Sequence, residues 1–166
     1  MKTVFLSILN CILFFSIQAQ KSKSSEKIDY QGFKELTDSL STYREDRLID
    51  QQTFLRYSDG AETIILDTRS KSAFDEVHLD GAVHLNFSDF TAGKLEKVIP
   101  SKTTRILIYC NNNFESDGPA LENKGFELAL NIPTFINLYG YGYKNIYELG
   151  GYLEEEESLI SLIKND

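Results

Sequence analysis

Apolar positions fall into two regimes along the chain. Residues 4–17 form one mostly apolar run, with Lys2 before it and the small residue Ala19 just after it. The run is shorter than the ~20 residues a bilayer span requires, and its flanks have the layout of a secretory signal. Residues 1–20 are therefore expected to be a signal peptide, which makes the mature protein exported, periplasmic or extracellular. No stable membrane insertion is expected after cleavage. Residues 21–27 are rich in Lys and Ser, lack periodicity and read as a flexible linker.

From residue 28 the apolar positions become spaced, and residues 28–166 read as a single domain. Phe33, Leu36 and Leu40 recur at helical spacing, predicting a helix over 28–40. Residues 47–49 suggest a short strand, and Asp50 can cap a helix carrying Phe54 and Leu55. Residues 63–66 form a β-branched and apolar run of the kind buried on both faces of a sheet. Ser70 can cap a short helix through Ala73 and Phe74, and residues 82–85 suggest another strand. Residues 90–98 read as a helix ending before Pro100. RILIY, residues 105–109, is the clearest strand, and Cys110 follows it. Residues 111–130 are turn-rich, with room for a small helix at 117–121. Asn131 is expected to cap a helix with Pro133 in its first turn and Gly140 or Gly142 at its end. A strand at 145–149 and a final helix from Glu154 through Ile163 complete the pattern. Short buried strands alternating with helices predict a mainly parallel sheet covered on both faces.

Composition narrows the function classes. The 166 residues are 42% apolar and 25% charged, ordinary values for a folded domain. The formal charge of −8 argues against nucleic acid as a partner. Of the two cysteines, Cys11 would leave with the signal, so Cys110 would stand alone in the mature chain. A lone thiol in an exported protein is buried and inert, paired with another chain, or reactive. Sites in parallel sheets form at the carboxyl ends of strands, and Cys110 occupies such an end.

Three segments then resemble one family. Residues 66–69 (LDTR) with 74–85 (FDEVHLDGAVHL), the RILIY strand leading into Cys110, and residues 142–146 (GYKNI) with Leu149 and Gly151 follow in order the pattern of rhodanese-like domains. The resemblance spans roughly residues 47–153. It implies an α/β fold with a mainly parallel central sheet of about five strands and helices on both faces. It also implies a sulfurtransferase in which Cys110 carries sulfane sulfur as a persulfide. The sulfur would come from a small sulfane donor and pass to a thiol or cyanide-like acceptor, or to a thiol protein. Asn111, Asn112, Asn113, Phe114, Glu115 and Ser116 would form the active-site loop. Asp67, Arg69 and His78 would support it, and neither metal nor cofactor is implied. Two other classes compete: a catalytically weak binding or thiol-redox module on the same fold, and a cysteine phosphatase. The phosphatase needs an Arg where this chain has Ser116.

Two departures from the family pattern bear on mechanism. The helix after the cysteine begins about 15 residues later than the family spacing. The stretch after Cys110 also lacks a cation until Lys124, while Glu115 adds a negative charge. Unit charges about 4 Å apart near a protein surface interact by about 4 kcal/mol. Dianionic thiosulfate is therefore expected to be a poor donor. His78, His84 and Cys110 match no tight metal-ligand spacing. His78 is expected to hold backbone, and the Tyr139–Tyr143 cluster to serve packing.

Overall fold

The computed structural model describes residues 27–115, 122–153 and 162–164. The expected signal peptide, most of the linker, Ser116, the small helix at 117–121 and the stretch 154–161 lie outside the described residues. Among the described residues, five α-helices and seven strands follow in chain order: α1 (Tyr30–Glu45), β1 (Leu48–Ile49), α2 (Gln51–Ser58), β2 (Thr63–Asp67), α3 (Lys71–Glu76), β3 (Val77–Leu79), β4 (Ala82–His84), α4 (Ala92–Val98), β5 (Arg105–Tyr109), α5 (Asn131–Gly140), β6 (Ile146–Leu149) and β7 (Leu162–Lys164).

Five strands form one sheet in the order β1-β6-β5-β2-β4, every neighbouring pair parallel. Alternation along β5 divides the interior in two. Ile106 and Ile108 join Leu66, Phe135, Leu138 and Leu95 on the face covered by α4 and α5, with Tyr43 of α1 packed against them. Leu107 and Tyr109 join Phe54, Val77, Leu79 and Leu149 on the face covered by α2 and β3. This is the α/β architecture the alternation of strands and helices predicts. Burying one such aliphatic or aromatic side chain contributes about 1.5–3 kcal/mol.

The caps are local and readable. Asp50 accepts from the Thr53 backbone N–H, and Ser70 accepts from that of Ala73. After α5 the chain reverses at Gly142, whose φ of 93° lies in the left-handed region that glycine occupies without a Cβ clash.

Three expectations are corrected. Helix α1 begins at Tyr30 and extends to Glu45. Asn131 is the first residue of α5 rather than its cap; Leu130 holds the cap position and makes no side-chain cap bond. Residues 77–79, to which the pattern assigns no element, form β3. Residues 162 and 163, expected at the end of a helix, belong to β7, antiparallel to β3 and pairing Leu79 with Leu162. Among the described residues, no helix is long and apolar enough to cross a membrane.

Candidate active site

Cys110 leaves the carboxyl end of β5, a central strand hydrogen-bonded on both edges, and is 1% exposed. A single 3-10 turn, Asn111–Asn113, follows it. The Asn113 amide holds that turn from four sides. Its Oδ1 accepts from the Cys110 backbone N–H at 2.8 Å and from Asn131 Nδ2 at 3.3 Å. Its Nδ2 donates to the carbonyls of Leu149 at 3.0 Å and Gly151 at 2.7 Å. One buried amide thus joins the turn, the start of α5 and the end of β6, with all its hydrogen-bonding capacity used.

Burial pushes the Cys110 thiol up. The backbone N–H groups of Asn131, Asn112 and Leu130 oppose that by favouring a negative sulfur, and the Arg69 charge adds to them. Two of these donors belong to the start of α5, whose dipole also favours a negative sulfur. The long passage from Asn113 to Leu130 therefore leaves the helix start beside the sulfur.

Asp67 and Arg69 anchor the neighbouring strand end. Arg69 donates from Nε to both Asp67 oxygens at 3.1 Å and from Nη2 to Asp67 Oδ2 at 2.7 Å and the Val77 carbonyl at 2.6 Å. Tyr109 donates its hydroxyl proton to Asp67 Oδ2 at 2.5 Å and accepts from the Leu79 N–H. Burial works against the Arg69 charge, but the Asp67 carboxylate more than offsets it and holds the guanidinium above its usual range. Burial, then the Asp67 charge, pushes the Tyr109 phenol up, so it stays a donor.

Two cavities meet at Cys110. One, of about 300 Å³, is lined by Arg69, Ser70, Ala73, Cys110, Lys124 and Leu130. The other, of about 430 Å³, lies toward β6 and includes Cys110, Asn113, Phe126, Asn131, Glu148 and Tyr152. Among the described residues, the charged ones lining the smaller cavity are Arg69 and Lys124, both cationic. Glu115 is exposed and lines neither cavity. Lys124 thus lines a cavity at the cysteine, whereas Glu115, nearer to it in sequence, does not.

The other loop residues divide by role. Asn111 Oδ1 lies 3.4 Å from Arg69 Nη1, and its Nδ2 donates to the Glu122 carbonyl. Asn112 exchanges two bonds with the Lys124 backbone. Phe114 is buried beneath Arg69, whose guanidinium carbon lies 4.9 Å from the ring centroid. His78 stacks on Phe74 and its Nδ1 bonds the Phe74 carbonyl at 2.7 Å, away from both cavities. Among the described residues, no cluster of three potential metal ligands forms.

Sequence reasoning missed Tyr109, Asn131, Lys124 and the buried contact between Thr68 and Thr134, 3.0 Å apart, which ties the β2 end to α5. Only Tyr109 left a signal: Asp67 and Tyr109 are register partners across β2 and β5.

Comparison with known proteins comes to the same architecture. The family model for the rhodanese-like domain matches residues 50–155. No curated protein matches the chain. Among solved structures, the chain is similar to a protein from Helicobacter pylori, with 20% identity over 74% of this chain and 93% of that one and a TM-score of 0.48. A rhodanese-like domain from Anabaena is 19% identical over 64% of this chain and 69% of that one, with a TM-score of 0.45. A rhodanese from E. coli, solved with anions, is 17% identical over 62% and 99%, with a TM-score of 0.41.

Proposed function

This chain belongs to the rhodanese-like domain family, and on that premise we propose that it is a sulfurtransferase carrying sulfane sulfur as a persulfide on Cys110. The observation that supports the reading is a buried sulfur at the carboxyl end of β5 that borders two cavities, with the backbone N–H groups of Asn112, Leu130 and Asn131 favouring its anionic form. Such a cradle stabilises a sulfur anion, and both the attacking thiolate and the persulfide are anions.

The steps balance without metal or cofactor. The Cys110 thiolate attacks the outer sulfur of a sulfane donor. The donor's S–S bond breaks, and its electron pair leaves with the departing thiolate or sulfite. Cys110 now carries the transferred sulfur as a persulfide. An acceptor thiolate attacks that outer sulfur, forms a new persulfide and returns the Cys110 thiolate. The acceptor is a small thiol or a thiol protein outside the cytoplasm, in keeping with the expected signal peptide. The burial that raises the thiol favours a second reading, a catalytically weak binding or thiol-redox module.

Intact-protein mass measurement after incubation with thiosulfate, a polysulfide and glutathione persulfide separates the two. The expected result is one added sulfur atom on Cys110, released by a thiol acceptor and absent from Cys110→Ser. No gain with any of the three donors would leave the binding-module reading.

A further inference from the structure

The larger cavity at Cys110 has an apolar rim. Leu48 from β1, Phe126 from the passage to α5 and Tyr152 beyond β6 all line it, and they are 49%, 82% and 51% exposed. Leu128 belongs to the same 3-10 turn as Phe126 and is 71% exposed, yet does not line the cavity. Single exposed apolar side chains are ordinary, whereas several around one cavity mark an interaction site.

The rim is held in place from below. Leu48 pairs with Glu148 across β1 and β6. Asn112 Nδ2 donates to the Lys124 carbonyl at 2.8 Å and its Oδ1 accepts from the Lys124 N–H at 3.1 Å, two residues before Phe126. On either side of Tyr152, the Gly151 carbonyl accepts from Asn113 Nδ2 and the Leu153 N–H donates to the Asn113 carbonyl. Apolar groups fixed in advance lose little freedom on binding.

Size and charge decide what covers the rim. A small thiol inside the cavity of about 430 Å³ would leave Leu128 in water, whereas a polypeptide reaching Cys110 can cover it too. Glu127 stands between Phe126 and Leu128, and Glu115 and Glu122 are exposed in the same passage, against Lys124. The chain as a whole carries a formal charge of −8. Repulsion disfavours a second copy of this chain there and favours a basic partner.

We propose that Leu48, Phe126, Leu128 and Tyr152 form a docking surface for a basic thiol protein, which presents an apolar side chain to the rim and its cysteine to Cys110 through the larger cavity. Resting on the sulfurtransferase reading, this names the acceptor. The partner's thiolate takes the outer sulfur of the Cys110 persulfide, the S–S bond breaks, and its electron pair returns to Cys110 as thiolate.

Disulfide exchange measures docking apart from sulfur transfer. The probe is a short synthetic peptide with lysines flanking a Phe-Cys pair, its cysteine activated as a pyridyl disulfide. The Cys110 thiolate of the full-length protein attacks the peptide sulfur, the S–S bond breaks, and pyridinethiolate leaves and takes up a proton as the thione. The mixed disulfide is followed on the fragment containing Cys110. Each rate is divided by that of the pyridyl disulfide of mercaptoethanol, which removes changes in thiol reactivity. The lysine peptide is expected to exceed a counterpart with glutamates roughly three- to tenfold at low salt, a gap that closes as salt is added. Phe126→Ser and Leu128→Ser should each lower the lysine peptide's ratio roughly three- to tenfold. Equal ratios for the two peptides, or an unchanged ratio in Leu128→Ser, overturn the proposal. If the pyridyl disulfide of phenylethanethiol reacts as fast as the lysine peptide, the cavity takes a small apolar thiol and the protein partner is overturned. A dimer in sedimentation that Phe126→Ser dissociates assigns the rim to a second copy and overturns it as well. Peptide selectivity kept in a protein that takes sulfur from no donor upholds the docking surface and overturns the sulfurtransferase reading alone.

Discussion

Two buried ion pairs stand near the carboxyl ends of the sheet, and they are built differently. Asp67 and Arg69 are two residues apart, their side chains 0% and 2% exposed. The Asp67 carboxylate takes bonds from the Arg69 guanidinium, the Arg69 backbone N–H and the Tyr109 hydroxyl. Arg44 and Glu148 are 104 residues apart, and their side chains are 32% and 1% exposed. Here one aligned bond, Arg44 Nη2 to Glu148 Oε2 at 2.9 Å, carries the pair. The second contact, Nε to Oε1 at 2.6 Å, lacks hydrogen-bond alignment. Burial costs each carboxylate its hydration, and the return depends on how many lone pairs are re-occupied. The first site re-occupies them from several directions. The second leaves Glu148 with a carboxyl that burial pushes up, opposed by Arg44 alone. The difference teaches that a buried charge is held in place by the number of its partners more than by the presence of an opposite charge.

The largest effect should come from Arg69→Ala. It strands the Asp67 carboxylate in the interior, and chemical denaturation should show a loss of about 3–5 kcal/mol. Arg44→Ala should cost less, about 1–3 kcal/mol at about pH 7, because Glu148 can take up a proton. The pH dependence has a definite sign. A carboxyl raised in the folded state binds protons more readily there than in the unfolded chain. Its contribution is therefore most favourable below the ordinary carboxyl range and is lost as pH rises through the raised folded value. The Arg44→Ala deficit should accordingly shrink between about pH 7 and about pH 4, measured by thermal melts. A deficit that grew on acidification would break the comparison.

Tyr109→Phe should cost about 1–2 kcal/mol, since it removes one of several bonds to Asp67 and strands the Leu79 N–H. Glu148→Gln should be the mildest, within about 1 kcal/mol of wild type, because it removes the buried charge and keeps the shape. If Glu148→Gln proved as damaging as Arg69→Ala, the two pairs would be energetically alike and the contrast would fail.

How far each feature was legible in the sequence follows from the span of its contacts. The β5 strand, the Asp50 and Ser70 caps and the position of Cys110 depend on a few consecutive residues, and each lies where the pattern put it. Asp67 and Arg69 are close enough in sequence to be read as a pair. Arg44 and Glu148 are not, and neither is the clamp from Asn112 to Lys124, which crosses 12 positions of turn-rich chain. The error at residues 162–163 has another cause. A short apolar run fits a helix face and a strand equally well, and the pairing with β3 decides between them. Glu115 is closer to Cys110 in sequence than Lys124, yet it is Lys124 that lines a cavity at the cysteine, because the passage to α5 returns to the Asn112 side chain.

The late start of α5 has a polymer-physics consequence. Closing a longer loop between two fixed points costs entropy only as the logarithm of its length, so about 15 added residues amount to roughly 1 kcal/mol. The start of α5, by contrast, is tied to the cysteine turn and to the end of β2 by the Asn113–Asn131 and Thr68–Thr134 contacts, neither of which depends on the length of the loop. The excursion between Cys110 and α5 can therefore change in length and sequence at small thermodynamic cost. The choice of ligand at the cysteine can thus drift while the cradle around its sulfur stays the same.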